Sequence, residues 1–322
     1  MTQNSYVAAS ALWLFLAMDA FGAGPFHFGP TWFAYFDKKN LEYWKNNRSK
    51  QLIFFLAPPL LIIFTTWGYV VKATHPFVIL VLTLWAVQHL VQQNVGILLL
   101  YHNQKSGEAI VNRQLEMRSQ QWPAVLFTFV FIHRVYFHNS MEIGWLIFLA
   151  LGTLVAFAPV VGYLNEMRKQ IRDGSNLNVP AFGFWMISLL CMVPFAFLGK
   201  DFAEAWIIPV TLHWFQYIGL NYALVKSKYS INQPGARYLA QVPPLLLFFV
   251  TCSCFFLTAF LIFQTAATIY GAKSDISEFL TGFWLGLTSC HYFLDAFLWR
   301  FREPHARESI LPHLMSYRKP AV

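Results

Sequence analysis

Charged side chains are scarce in this chain, and their scarcity excludes most classes of soluble protein. Of 322 residues, 12% are charged and 57% are hydrophobic, whereas a soluble domain carries roughly 25% charged residues. The hydrophobic residues gather in stretches of about 20, the length at which an α-helix crosses a bilayer core. No polar segment is long enough to form a second domain. We therefore expect residues 1–322 to form a single all-α domain, a polytopic transmembrane helix bundle.

Cysteine pairs and soluble catalytic motifs are also missing. The cysteines number four, and none forms a CxxC pair, so neither a disulfide framework nor a zinc knuckle is indicated. The chain has no P-loop and no dinucleotide-binding glycine fingerprint. No Lys or Arg precedes Lys38, so the first hydrophobic stretch lacks the basic region of a signal peptide and is expected to remain as a span. Any chemistry must then come from single side chains within the helices.

Nine hydrophobic stretches predict nine spans. They are residues 5–24, 52–71, 77–100, 122–139, 143–163, 180–198, 205–224, 242–268 and 279–300. Of the 23 Lys and Arg residues, 19 follow odd-numbered spans. Because basic residues favour cytoplasmic loops, this distribution predicts an outside N-terminus and a cytoplasmic C-terminus, in the cell (cytoplasmic) membrane. The net charge of +8 thus reflects topology and contact with anionic membrane lipids, and it does not indicate nucleic-acid binding.

Ionisable residues at membrane depth are costly and are therefore candidates for function. Three spans share a pattern in which a histidine is followed by polar side chains on or near the same helical face. The stretches are His89-Leu-Val-Gln92-Gln93-Asn94, His213-Trp-Phe-Gln216 and His291-Tyr-Phe-Leu-Asp295. All three spans run from outside to inside, so we expect their histidines to meet near the midplane. Imidazole and carboxylate suit iron, zinc or copper, and the predicted metal ligands are His89, His213, His291 and Asp295.

Further side chains are expected to support this site or to replace a ligand. They are Asp19, His27, Gln92, Gln93, Asn94, Gln216 and His133. His27 lies in a glycine- and proline-rich run that ends the first span. Its preferred interpretation is an interfacial turn with a solvated histidine, and a ligand role is the alternative. His133 is adjacent to Arg134 near the outer surface, where a structural role is preferred.

Two short stretches carry a resemblance to a known family. Phe26-His27-Phe28-Gly29 and Cys290-His291-Tyr-Phe-Leu-Asp295 resemble segments of the Brp/Blh-type membrane carotene-cleaving dioxygenases. The resemblance implies several spans, histidines on different helices, a non-haem iron and cleavage of an isoprenoid. The chain departs from the family because His27 has no aspartate four residues further on. It also lacks the His-x-x-His-His cluster of the membrane desaturases and hydroxylases.

The sequence therefore favours a membrane-embedded, metal-dependent oxygenase, with non-haem iron as the expected metal and zinc or copper as alternatives. Its expected substrate is an apolar lipid or isoprenoid that enters from the bilayer. One alternative is a transporter or proton-coupled carrier in which Asp19, Asp295 and the histidines relay protons. Another is a membrane scaffold subunit. Metal bound to the purified protein would favour the enzyme over both.

Overall fold

The computed structural model describes most of the chain. The described residues are 23–102, 112–137, 142–198, 202–229, 239, 241–268 and 274–316. Every regular element of more than one residue within these ranges is a helix. In chain order they are α1 (Ala23–Phe26), α2 (Gly29–Phe33), a 3-10 turn (Ala34–Phe36), α3 (Lys38–Lys45), α4 (Arg48–Gln51), a π-helical turn (Leu52–Leu56), α5 (Ala57–Val70), α6 (His75–His102), α7 (Arg113–Tyr136), α8 (Ile143–Arg172), α9 (Val179–Leu190), α10 (Met192–Phe197), α11 (Phe202–Lys228), α12 (Pro244–Thr268), α13 (Asp275–Leu298), α14 (Pro304–Ser309) and α15 (Leu311–Ser316).

The predicted all-helical class is confirmed for this part of the chain. Each predicted span from the second to the ninth overlaps helical structure within the described residues, and the first, residues 5–24, lies almost entirely outside them. Within the described ranges, five helical segments are long and apolar enough to cross a membrane, which is compatible with an integral membrane protein. They are Arg48–Val70, His75–His102, Ile143–Arg172, Val179–Phe197 and Pro244–Ile262.

The chain divides into two compact units. Unit 1 comprises Met1–Trp85 and Trp214–Val322, and unit 2 comprises Ala86–His213. The helices α6 and α11 each contribute residues to both units. The expectation of one helical domain stays a prediction, and the two units are described separately below.

In unit 1, helix α13 packs closely against α5 through glycine. A Cβ atom added at Gly286 would lie 2.8 Å from the Cα of Ile62, and one added at Gly282 would lie 3.1 Å from the carbonyl oxygen of Thr66. This is a GxxxG spacing, which lets helix backbones approach each other in membrane proteins. Beside it, the hydroxyls of Thr65 and Ser289 are 3.3 Å apart. Small residues one turn apart therefore fix the position of α13.

Prolines explain the π-helical turn that precedes α5. Pro58 and Pro59 have no N–H, so the carbonyl of Phe54 has no backbone donor four or five residues further on. The hydroxyl of Tyr35 donates to that carbonyl over 2.5 Å instead. A side chain thus satisfies a backbone group that proline leaves without a donor, as a bundle in lipid requires.

In unit 2, proline also interrupts a predicted span. The stretch 180–198 forms α9 and α10, with a break at Cys191. Pro194 has no N–H to donate to the carbonyl of Leu190, so the α-helical ladder stops there. Both helices pack on α7, where Phe131 stacks on Phe195 with 4.7 Å between ring centroids.

Candidate functional site

Two short helices place the first polar side chains of unit 1. Proline at the start of α2 fits the helix because its missing N–H is not needed there. A Cβ atom added at Gly29 would clash with the Cα of Cys252, so α2 lies directly against the backbone of α12. This close approach positions His27 and Thr31 inside unit 1, where both are buried.

His27 is not the solvated boundary residue that the sequence favoured. Only 3% of it is exposed, and its Nδ1 is hydrogen-bonded to the carbonyl of Gly24. Its ring meets that of His291 edge-on, with 4.7 Å between centroids, and the ring of Trp214 lies at 5.7 Å. The expectation of a solvated turn is therefore wrong, because the close packing of α2 brings the histidine into the interior of unit 1.

His291 and Asp295 lie one turn apart on α13. Both are buried, and the His291 Nδ1 is 3.8 Å from the Asp295 Oδ1. The prediction that Asp295 faces the protein interior is confirmed. Its other carboxylate oxygen, Oδ2, is buried and has no hydrogen-bond partner among the residues that the structure describes.

Thr31 connects these two side chains. Its hydroxyl oxygen lies 2.7 Å from the His291 Nδ1 and donates to the Asp295 Oδ1 over 2.8 Å. The Tyr217 hydroxyl also donates to the Asp295 Oδ1, over 2.7 Å, and lies 2.9 Å from the Thr31 oxygen. Four side chains from α2, α11 and α13 thus form one buried hydrogen-bond network, which we call the Thr31 network.

The donor set of unit 1 fits a metal ion chemically. A ligand nitrogen of His27 and one of His291 lie within 4.8 Å of each other, and the same limit holds for His291 and an Asp295 oxygen. Two ligands on a common metal, each at about 2.1 Å, are separated by at most about 4.2 Å. Each pair, taken by itself, therefore lies close to the separation that two ligands of one metal require. Two histidines and one carboxylate are the ligand set of many non-haem iron(II) sites.

Unit 2 contains the other two predicted histidine ligands. The rings of His89 and His213 meet edge-on at 5.0 Å, and both residues are buried. Near His89 along α6, both amide atoms of Gln93 and the amide oxygen of Asn94 are buried without a hydrogen-bond partner within the described ranges. Gln92 is exposed. The predicted meeting of His89, His213 and His291 on one metal stays a prediction.

The remaining predicted site residues lie elsewhere. Asp19 is outside the described residues. His133 in unit 2 stacks on Trp145 with 3.8 Å between ring centroids, and its preferred structural role stays a prediction. Gln216 in unit 1 is partly buried, and its amide oxygen has no hydrogen-bond partner in the described part of the chain.

Sequence reasoning missed Thr31 and Tyr217. A signal was present, since Thr31 follows His27 by four residues and Tyr217 follows His213 by four. The same spacing relates hydroxyl groups to the histidines as well as carboxylates and amides. Hydroxyls are cheap to bury when hydrogen-bonded, so neither charge nor hydropathy distinguishes them from packing residues.

A second polar cluster of unit 1 joins segments outside the predicted spans. Lys228 Nζ lies 2.5 Å from the Asp37 Oδ2, and the Tyr229 hydroxyl donates to the same oxygen over 2.5 Å. Lys50 pairs with Glu303. These ion pairs connect the segments that follow predicted spans one, seven and nine.

His305 extends this cluster. Its Nε2 lies 2.9 Å from the Asn40 amide oxygen, and its ring stacks on Tyr43 with 4.1 Å between centroids. Burial, assisted by the nearby Lys228 charge, lowers the pKa of His305 below its ordinary value. The imidazole therefore favours its neutral form and bonds Asn40 as a neutral group.

Unit 2 contains a contact between a histidine and a glutamate that hydropathy did not indicate. His102 Nε2 lies 2.6 Å from the Glu116 Oε1, whereas the sequence suggested only a helix terminus at His102. On the same face of α7, Ser119 accepts a hydrogen bond from the Trp185 indole over 2.8 Å. This polar turn lies N-terminal to the predicted span 122–139.

Comparison with models of known protein families, with curated proteins and with solved structures found no match to this chain.

Proposed function

We propose that the chain is a multi-span membrane protein that binds non-haem iron and uses it with dioxygen to oxidise an apolar substrate. In unit 1 the ligands would be His27, His291 and Asp295. His89 and His213 remain predicted ligands, and zinc and copper remain the alternative metals.

The observation that carries the proposal is how each candidate ligand in unit 1 is held. His27 and His291 each use Nδ1 in a hydrogen bond, and Asp295 uses Oδ1 in two. Metal-ligating histidines generally bond a protein group through the nitrogen that does not bind the metal. In all three side chains, hydrogen bonds to one atom fix the orientation of the group, as the arrangement of a metal ligand requires.

The surroundings of the site support an apolar substrate. The ring of Phe28 lies 4.9 Å from the ring of His291 and 5.3 Å from that of Trp284. Aromatic side chains beside a small number of placed polar groups suit apolar ligands. An isoprenoid such as β-carotene is the substrate class that the Brp/Blh resemblance implies, and it would reach the site from the surrounding membrane lipids.

The proposal includes nine spans, an outside N-terminus and a cytoplasmic C-terminus in the cell membrane. The 19 of 23 basic residues that follow odd-numbered spans support this orientation. The two ion pairs between segments that follow odd-numbered spans support it as well, because groups in contact lie at one membrane depth.

Elemental analysis of detergent-purified protein tests the metal directly. We expect close to one metal ion per chain when the protein is expressed with iron, zinc and copper available, with iron predominating. His291→Ala should lose most of it, because His291 is the ligand shared by both close pairs. His133→Ala is the matched control, since His133 stacks on Trp145, and it should retain the full complement.

A wild-type protein that binds no metal would contradict the proposal, and the carrier and scaffold interpretations would then lead. If the His291→Ala protein retains the metal content of the wild type, the metal is not bound at the proposed site in unit 1. If metal is bound, oxygen consumption with β-carotene in the same detergent tests the oxygenase reaction. No oxygen consumption with any apolar probe would contradict the enzymatic part of the proposal.

A further inference from the structure

The hydroxyl of Thr31 has only one proton but contacts both His291 and Asp295. It lies 2.7 Å from the His291 Nδ1 and 2.8 Å from the Asp295 Oδ1. An ionised carboxylate only accepts hydrogen bonds, so the Thr31 proton goes to Asp295. The contact with His291 is then a hydrogen bond only if Nδ1 carries a proton and donates to the Thr31 oxygen.

This proton count determines the tautomer of His291. A neutral imidazole has one N–H and one lone pair, so an Nδ1–H places the lone pair on Nε2. Tyr217 reinforces the arrangement because its hydroxyl gives the Asp295 Oδ1 a second donor at 2.7 Å. The same network therefore holds Asp295 through Oδ1.

We propose that Thr31 is the positioning residue of the metal site, because its hydroxyl holds His291 as the Nδ1–H tautomer and holds Asp295 through Oδ1. The inference rests on the proposed function, since it concerns the same ligands. Thr31 does not touch the metal itself and acts through His291 and Asp295. Outer residues of this kind typically affect metal affinity by about 10- to 100-fold.

The location of Thr31 explains why a hydroxyl group is found there. It is fully buried, on the short helix α2 that packs against α12 and α13. A buried threonine in an apolar helix commonly bonds its own backbone carbonyl four residues earlier. The hydroxyl of Thr31 bonds side chains on two other helices instead.

The test uses Thr31→Val, which keeps the shape and removes the hydroxyl, and Thr31→Ser, which keeps the hydroxyl. The nitrogen chemical shifts of His291 are measured in metal-free protein labelled with ¹⁵N-histidine, and His291→Gln assigns the signals. We expect Nδ1–H in the wild type and in Thr31→Ser, and a mixture or the Nε2–H form in Thr31→Val. An unchanged tautomer in Thr31→Val would overturn the inference.

Iron(II) and cobalt(II) affinities provide the second measurement. Thr31→Val should raise the Kd by about 10- to 100-fold, whereas Thr31→Ser should remain within a few-fold of the wild type. Equal affinities for the wild type and Thr31→Val would overturn the inference while the proposed function stands. If the wild type binds no metal, the proposed function fails, and the tautomer measurement still decides the role of Thr31. Tyr217→Phe, which removes the other donor to Asp295, provides a second variant if Thr31→Val does not fold.

Discussion

Lys228 and Asp37 form an ion pair that water barely reaches. Their side chains are 6% and 0% exposed, and Asp37 also caps α3 by accepting from the backbone N–H of Lys39 over 2.9 Å. Removing one partner of a buried pair leaves a charge without compensation. The pair therefore holds the segment after the first predicted span against the end of α11.

We predict that Lys228→Met lowers the free energy of unfolding by about 3 kcal/mol, because Asp37 would stay buried without its cation. Denaturation of the detergent-solubilised protein measures the change. The matched control is Lys38→Met, since Lys38 and Glu42 form an exposed pair at 3.8 Å, and pairs of this kind contribute at most about 1 kcal/mol. Equal losses in the two variants would contradict the importance of burial.

The sequence predicts the role of some single residues of the site but not of others. Asp295 and His291 were identified because ionisable groups at membrane depth are costly. His27 is predicted from the sequence to lie in a solvated turn. In the structure, its ring centroid lies 4.7 Å from that of His291. Its burial depends on the approach of Gly29 to Cys252, which are more than 200 residues apart in the chain. No local pattern contains that contact.

At the scale of elements, glycine determines how α13 lies on α5. The atoms nearest to a Cβ at Gly286 are all backbone atoms of Ile62, the closest at 2.8 Å. No side-chain rotation relieves such a contact, so one helix would have to move. Because α13 contains both His291 and Asp295, such a movement would also displace two candidate metal ligands.

We predict that Gly286→Ala lowers the free energy of unfolding by about 1 to 3 kcal/mol, the usual cost of overpacking. Gly183→Ala in α9 is the control, because nothing lies within 4 Å of a Cβ there and alanine favours a helix over glycine. A compensating Ile62→Ala should not restore stability, since the clash is with backbone. If the double variant recovers the wild-type melting temperature, the clash is with the Ile62 side chain and not with the backbone of α5.

Helix positions were predictable, but helix ends and breaks were less so. Hydropathy located the apolar part of α7 as 122–139, whereas α7 begins at Arg113, where Asn112 caps its first turn. The missing turns contain Glu116 and Ser119, which are buried through partners on other helices. A hydropathy pattern registers polar residues as solvent-facing, so it cannot detect a polar turn that is satisfied by tertiary contacts.

At the scale of the whole molecule, the polar cluster of unit 1 constrains how many helices cross the membrane. Asn40 and Lys50 contact His305 and Glu303, so the segments before α5 and after α13 lie at one membrane depth. Lys228 at the end of α11 also contacts Asp37, so if α12 crosses, as its length and apolar composition allow, we predict that α13 crosses in the opposite direction. If the four candidate spans between Asp37 and Lys228 all cross, the same contact predicts that α7 and α11 either both cross or both remain on one side.

The loop between α8 and α9 distinguishes these two possibilities. If α7 and α11 cross, this loop is cytoplasmic, and if neither crosses, it is outside. Asn176 is exposed there, and Ala73 is exposed in the connection between α5 and α6.

We predict that in intact cells a membrane-impermeant maleimide labels Ala73→Cys and does not label Asn176→Cys. The background is Cys254→Ser, which removes the exposed native cysteine. Both positions should react after the cells are opened, which controls for accessibility. Labelling of both variants in intact cells would contradict nine spans, and a lack of labelling at Ala73→Cys would contradict the orientation derived from the basic residues.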